Sequence, residues 1–167
     1  MTLKLILLRH AKSGWDNPAA SDHARVLTNH GAAAARHIGD WLRTLGHQPD
    51  RILCSDATRT RQTVAGLLET LGSAADVTAL RTLYHAGPDV ILTHIRKVQD
   101  AQTLLVCGHN PGIGLLAQGM LTTPPDHRRF ADYPTAAATV ITFGTNDWTQ
   151  VRTGPCTAFI TPADLTN

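Results

Sequence analysis

Cysteine is scarce in this chain and poorly spaced for cross-linking. Cys54, Cys107 and Cys156 are an odd set with no C-x-x-C pair, which argues against a disulfide frame or a reactive thiol. Two of them fall in apolar runs that read as buried strands, so all three are expected to be reduced core thiols of a cytoplasmic protein. Aromatic residues make up only 5% of the chain and form no stacking platform. The formal net charge is +2 and the longest basic cluster is His127-Arg128-Arg129. Neither feature suits a nucleic-acid or anionic-membrane partner. No stretch approaches the roughly 20 apolar residues of a membrane span. The first residues carry Lys4 inside a short apolar run and lack a signal-peptide cleavage pattern. H-x-H and H-E-x-x-H spacings are missing too, so neither a metal nor a cofactor is expected.

What is present is an ordinary globular composition, 43% hydrophobic and 17% charged over 167 residues. That length fits one domain, 1–167, large enough to bury a real core. Strand and helix patterns alternate. Strands are expected at 3–8, 51–54, 77–80 and 103–107. Helices are expected from Thr28 to Gly46, from Thr58 to about Leu71 closed by Gly72, over 88–98, and from near Pro111. The first of them should bury Ala35, Ile38, Leu42 and Leu45. The proline-rich stretch 122–134 reads as a loop. Alternation at 137–143 and 148–152 predicts a terminal hairpin joined through 144–147, with 157–160 as a further strand. The whole reads as an α/β three-layer sandwich, a mostly parallel central sheet with helices on both faces.

Ligands of such sheets sit beyond the carboxyl ends of the strands, and those ends share a chemistry. The apolar run "LILLRHAKSG" stops at Arg9-His10. The strand containing Cys54 runs into "CSDATRTRQT", with Arg59 near the start of the next helix. "GHNPG" puts His109 where another strand yields to a helix. Each residue alone has a plain structural reading: a basic loop, a surface arginine, a hydrogen-bonded histidine, a tight turn. Together they bring two imidazoles and two guanidiniums to one rim, beside helix N-termini, a setting that suits a phosphate dianion.

"LRHAKS", "SDATRTRQT" and "GHNPG", in that order, resemble the three signature segments of the histidine phosphatase superfamily, whose fold is phosphoglycerate mutase-like. More narrowly, "RHAKSGWDNPAASDHARVLTNHG" resembles the compact SixA-type protein-histidine phosphatases. The resemblance implies that His10 is a nucleophile that becomes transiently phosphorylated. It also implies that Arg9 and Arg59 grip the phosphoryl oxygens, and that His109 is the second histidine on the transferring group. Arg25 falls where SixA-type sequences have an arginine, implying contact with phosphate or the leaving portion of the substrate. Phosphate is then released by water, without a metal.

Many phosphomonoesterases of the superfamily place a carboxylic acid after the third strand. Here that region reads "RTLYHAGPDV", with no carboxylate before Asp89. His85 or Asp16 could supply a proton, although neither matches the pattern. A missing acid is tolerable for a phosphoramidate, whose imidazole leaves readily, and damaging for an alkyl phosphate. The expected substrate is therefore phosphohistidine on a partner protein. A small phosphorylated metabolite and a catalytically idle phosphoprotein-binding module are the alternatives.

Overall fold

The computed structural model describes residues 2–166 and shows a mixed six-stranded sheet with five α-helices among them. The strands are β1 (Leu3–Arg9), β2 (Arg51–Ser55), β3 (Asp76–Leu80), β4 (Thr103–Gly108), β5 (Ala138–Phe143) and β6 (Cys156–Ile160). The helices are α1 (Asn29–Thr44), α2 (Thr58–Leu71), α3 (Pro88–Arg96), α4 (Gly112–Met120) and α5 (Pro162–Leu165). The sheet order is β3-β2-β4-β1-β5-β6. The first four of these run parallel, and β5 is antiparallel to both of its neighbours.

Alternation along each strand sends side chains to opposite faces, and in the central strands both faces are apolar. Leu5, Leu7, Leu104 and Val106 pack with Ile91 and Ile95 of α3 and Ile113 and Leu116 of α4. Ile6, Leu8, Leu105 and Cys107 pack with Ala35, Ile38 and Leu42 of α1 and Val64 and Leu67 of α2. A parallel sheet covered on both sides requires this, and it is the expected three-layer sandwich. Leu42 has no exposed surface, so Leu42→Ala would cost about 2–5 kcal/mol.

The caps follow the sequence. Thr28 accepts the Gly31 N–H at 3.0 Å and starts α1. Gly72 ends α2 in the left-handed region. Gly31 also lets α1 lie against the chain just after His10, because a Cβ there would stand 2.1 Å from the Lys12 carbonyl oxygen.

Three expectations are corrected. The partner of β5 is β6, and Trp148–Gln150 is a single 3-10 turn. The inward residues Trp148 and Val151 sit three apart, and the buried indole donates to the Ala101 carbonyl at 2.7 Å, anchoring the turn instead of extending a strand. Leu45 lies just past the end of α1 and is 47% exposed, outside the buried stripe. Cys54 and Cys107 are buried on paired positions of β2 and β4, but Cys156 is only half-buried on β6.

Candidate active site

Register brings the two histidines together. Arg9 of β1 pairs with Gly108 of β4, so His10 and His109 are each the first residue beyond the same rung. Their ring centroids are 5.3 Å apart. The His10 backbone is held on both sides, its N–H donating to the Gly108 carbonyl at 3.0 Å and its carbonyl accepting from Ala136 N–H at 3.0 Å. The Ala11 N–H donates to Thr63 Oγ1 of α2 at 2.9 Å. The strand end is thereby tied to a helix.

Hydrogen bonds define the ring tautomers. His10 Nδ1 is 2.8 Å from the Ala11 carbonyl oxygen, which only accepts, so Nδ1 carries the proton and Nε2 keeps its lone pair. Arg59 Nε donates to His10 Nε2 at 3.4 Å. On His109, Arg59 Nη2 donates to Nδ1 at 3.2 Å, so Nε2–H donates to Ser55 Oγ at 2.8 Å. Both rings are neutral. Burial pushes His10 down to about 4, helped by the charges of Arg59, Arg9 and Arg25. Burial and then Arg59 push His109 down to about 3.

Arg59 is the buried centre of this arrangement, its side chain only 3% exposed near the start of α2. Its Nη1 donates to the Asp22 carbonyl oxygen at 2.8 Å and its Nη2 to Asp22 Oδ2 at 3.2 Å. Arg9 donates through Nη1 to the Tyr133 carbonyl at 3.1 Å, and its buried Nε has no protein partner. Arg25 reaches the same cavity through Nη1 to Asp22 Oδ1 at 3.0 Å and Nη2 to Ser13 Oγ at 2.5 Å. All five residues singled out in the sequence therefore line one cavity of about 250 Å³. Three guanidiniums around two neutral imidazoles can hold a phosphoryl dianion against a nitrogen lone pair.

The sequence reading missed Asp22. Its carboxylate accepts from Tyr84 Oη, from His85 Nε2 at 3.0 Å, from Arg25 and from Arg59. These donors, Tyr84 foremost, hold it far below the ordinary carboxylate range, so it is ionised and has no proton to give. The signal was its spacing: Asp22 stands three residues before Arg25, an interaction distance in a turn of helix. Ser55 and Tyr133 were missed as well, being a strand-end serine and a loop tyrosine without local pattern.

The two candidate proton donors separate. His85 lines the cavity, stacked on His109 at 4.9 Å between centroids and 12° between planes. Its φ is 52°, in the left-handed region. The loop carrying it lies against the start of α4, where a Cβ on Gly112 would stand 1.9 Å from the Ala86 carbonyl oxygen. The second glycine of "GHNPG" thus serves the neighbouring loop. Asp16 is exposed and does not line this cavity. Among the described residues, no group of three His, Cys, Asp or Glu is arranged to hold a metal ion.

Comparison with known proteins matches the model of the histidine phosphatase superfamily (branch 1) to residues 5–84. The chain is 32% identical to a candidate phosphohistidine phosphatase SixA from Nakamurella multipartitia, with a TM-score of 0.78 over 97% of each chain. It is 34% identical over 159 residues to an uncharacterized protein of Mycobacterium tuberculosis, covering 92% of this chain and 96% of the relative. It is 26% identical over 128 residues to the phosphohistidine phosphatase SixA of Escherichia coli, covering 74% and 78% respectively.

Proposed function

This chain belongs to the histidine phosphatase superfamily, and we propose that it removes phosphate from phosphohistidine on a partner protein, by way of a phosphorylated His10. One observation carries this reading: Nδ1 of His10 is locked to the Ala11 carbonyl, so Nε2 keeps a lone pair, which faces Arg59 Nε at the wall of the cationic cavity. The Nε2 lone pair forms a bond to phosphorus as the bond from phosphorus to the substrate nitrogen breaks. Arg9 and Arg59 take the charge on the equatorial oxygens, the Arg25 guanidinium adds its positive charge from the cavity wall, and His109 flanks the moving group. The leaving ring, protonated on its distal nitrogen, departs as neutral imidazole. Water then attacks phosphorus, phosphate leaves and His10 is regenerated. The arginines supply the positive charge, so EDTA should leave turnover unchanged.

The choice of substrate rests on the acid. Asp22 is the carboxylate in the cavity and four donors keep it ionised. An alkoxide leaving group needs a proton, whereas imidazole, with a conjugate-acid pKa of about 6.5, does not need a strong donor. Measured as kcat/KM, free phosphohistidine and aryl phosphates should turn over while serine phosphate and sugar phosphates lag by roughly 10²–10⁴-fold. The metabolite-phosphatase reading has one observation in its favour, His85 in the cavity with Nε2 beside Asp22. If alkyl phosphates keep pace, that reading moves ahead, and loss of alkyl but not aryl turnover in His85→Ala would identify the acid.

A further inference from the structure

The cavity around His10 has a smaller neighbour, and Arg25 is the wall between them. This groove holds about 150 Å³ and runs between Gly14 and Asp16 on one side and Ala24 and Val26 on the other. It is not a second anion site. Arg25 already donates from Nη1 to Asp22, from Nη2 to Ser13 and from Nε to the Gly14 carbonyl at 3.3 Å. Its face is covered by the Trp15 ring at 3.6 Å. The Asp16 carboxylate on the lip repels anions further.

The lip is apolar. Trp15 is 68% and Val26 51% exposed. The Gly14 N–H donates to the Val26 carbonyl at 3.0 Å and Ser13 bridges Leu27, so the two side chains belong to one short ribbon. The other large exposed apolar residues, Leu45, Val77, Val90 and Leu115, each stand on or beside a different element. Exposed apolar surface gathered beside a reactive cavity marks a contact surface. The cavity around His10, at about 250 Å³, has room for a phosphoryl group and an imidazole ring but not for the body that carries them. Whatever surrounds the phosphohistidine must rest on the rim of the cavity, of which Trp15 and Val26 form an exposed apolar part.

We infer that the groove beside Trp15 and Val26 is where the phosphohistidine-bearing protein docks, inserting an apolar side chain that stands next to its phosphohistidine. This rests on protein phosphohistidine being the substrate. The groove then selects among phosphoproteins while the arginines and histidines perform the chemistry common to all of them. Trp15, exposed in the free chain, would be covered by such a partner, and a tryptophan buried at a contact is a strong anchor.

The test uses a folded helical carrier with one exposed histidine, chemically phosphorylated, and a leucine one turn away, about 5.4 Å along the helix. A second carrier has serine in place of that leucine, and free phosphohistidine is the third substrate. The wild-type chain should prefer the leucine carrier by about tenfold in kcat/KM, through KM. Ala24→Trp, which fills the groove, and Val26→Asp, which charges its lip, should both erase that preference. Turnover of free phosphohistidine should stay within about twofold. Equal turnover of the two carriers by wild type, or a preference that survives both variants, overturns the docking inference alone. Wild-type turnover of free phosphohistidine but of neither carrier would overturn the protein-substrate reading and this inference with it.

Discussion

Two cavities of this molecule invite opposite conclusions. The larger, about 500 Å³, lies beside edge strand β6 and is lined by Thr122, Pro124, Pro125, His127, Cys156 and Phe159 among others. The smaller, about 250 Å³, lies beyond the carboxyl ends of β1, β2 and β4 and shares no residue with the first. Volume favours the first and chemistry favours the second. The β6 cavity holds one histidine, bonded to Asp164 at 2.9 Å, and no arginine. The strand-end cavity holds three arginines and three histidines. Parallel strands in register deliver successive strand ends to one rim, so charge converges there at the edge of the apolar core. At an antiparallel edge, successive strand ends point in opposite directions and no such convergence arises.

The largest way to break that comparison is His10→Ala. It should abolish turnover and the acid-labile phosphoenzyme seen by rapid quench with labelled substrate. Substantial residual phosphoenzyme would move the nucleophile elsewhere. Arg59→Ala comes next, because Arg59 touches both histidines and Asp22. Loss of one donor to developing charge typically costs roughly 10²–10³-fold in kcat, and a change confined to KM would mean that Arg59 binds ground state and transition state alike. Asp22→Asn should lower kcat/KM by about tenfold, since the amide no longer anchors Arg25, Arg59 and His85 by charge. Unaltered kinetics would reduce Asp22 to a surface ion pair.

A smaller effect comes from pH. His10 is held at about 4 and His109 at about 3, both below an unperturbed histidine near 6.5. Corrected for ionisation of the substrate, kcat/KM for an aryl phosphate should therefore hold as pH falls to 5. An unperturbed nucleophile would already have lost most of its rate there. The stability linkage has the same origin. The folded pKa values are depressed, so the contribution of each ring is fully present above the unfolded value near 6.5. It is lost as pH falls through that window to about 4 for His10 and about 3 for His109. His10→Ala should flatten part of that fall in Tm, and an unchanged slope would show His10 to be solvated.

The contrast also explains how much of the molecule was legible in the sequence. The parallel half was readable because its strands are apolar on both faces and its helices carry their caps, Thr28 and Gly72, in the chain. Arg9 ends one of those strands, His10 and His109 directly follow two of them, and Arg59 stands in the first turn of the helix after a third, so their convergence could be foreseen. Asp22, which lines the cavity, and Tyr84 come from segments separated by 62 positions and meet through a single hydrogen bond, which no local periodicity encodes. The antiparallel edge misled for a related reason. Trp148 and Val151 are flanked by polar residues as strand residues often are, but they stand three apart, the indole N–H finds its acceptor at Ala101, and the pairing edge of β5 is left to β6.

The smallest expected effect tests the larger cavity. His127 Nδ1 accepts the Arg129 N–H at 3.0 Å, so its Nε2–H donates to Asp164 Oδ2. That carboxylate also accepts from Thr161 N–H at 2.8 Å and Thr161 Oγ1 at 2.9 Å, forming the capping box of α5. The His127 ring meets Phe159 of β6 edge-on at 4.9 Å. The histidine thus fastens the 122–134 loop to the sheet edge and the last helix, a structural duty. His127→Ala removes one partly exposed hydrogen bond and one aromatic contact, worth about 1 kcal/mol, or about 2–4 °C in Tm for a chain of this size. Turnover of free phosphohistidine should stay within about twofold. If the variant instead loses activity tenfold while melting normally, the β6 cavity takes part in the chemistry. The division of labour between the two regions would then be wrong.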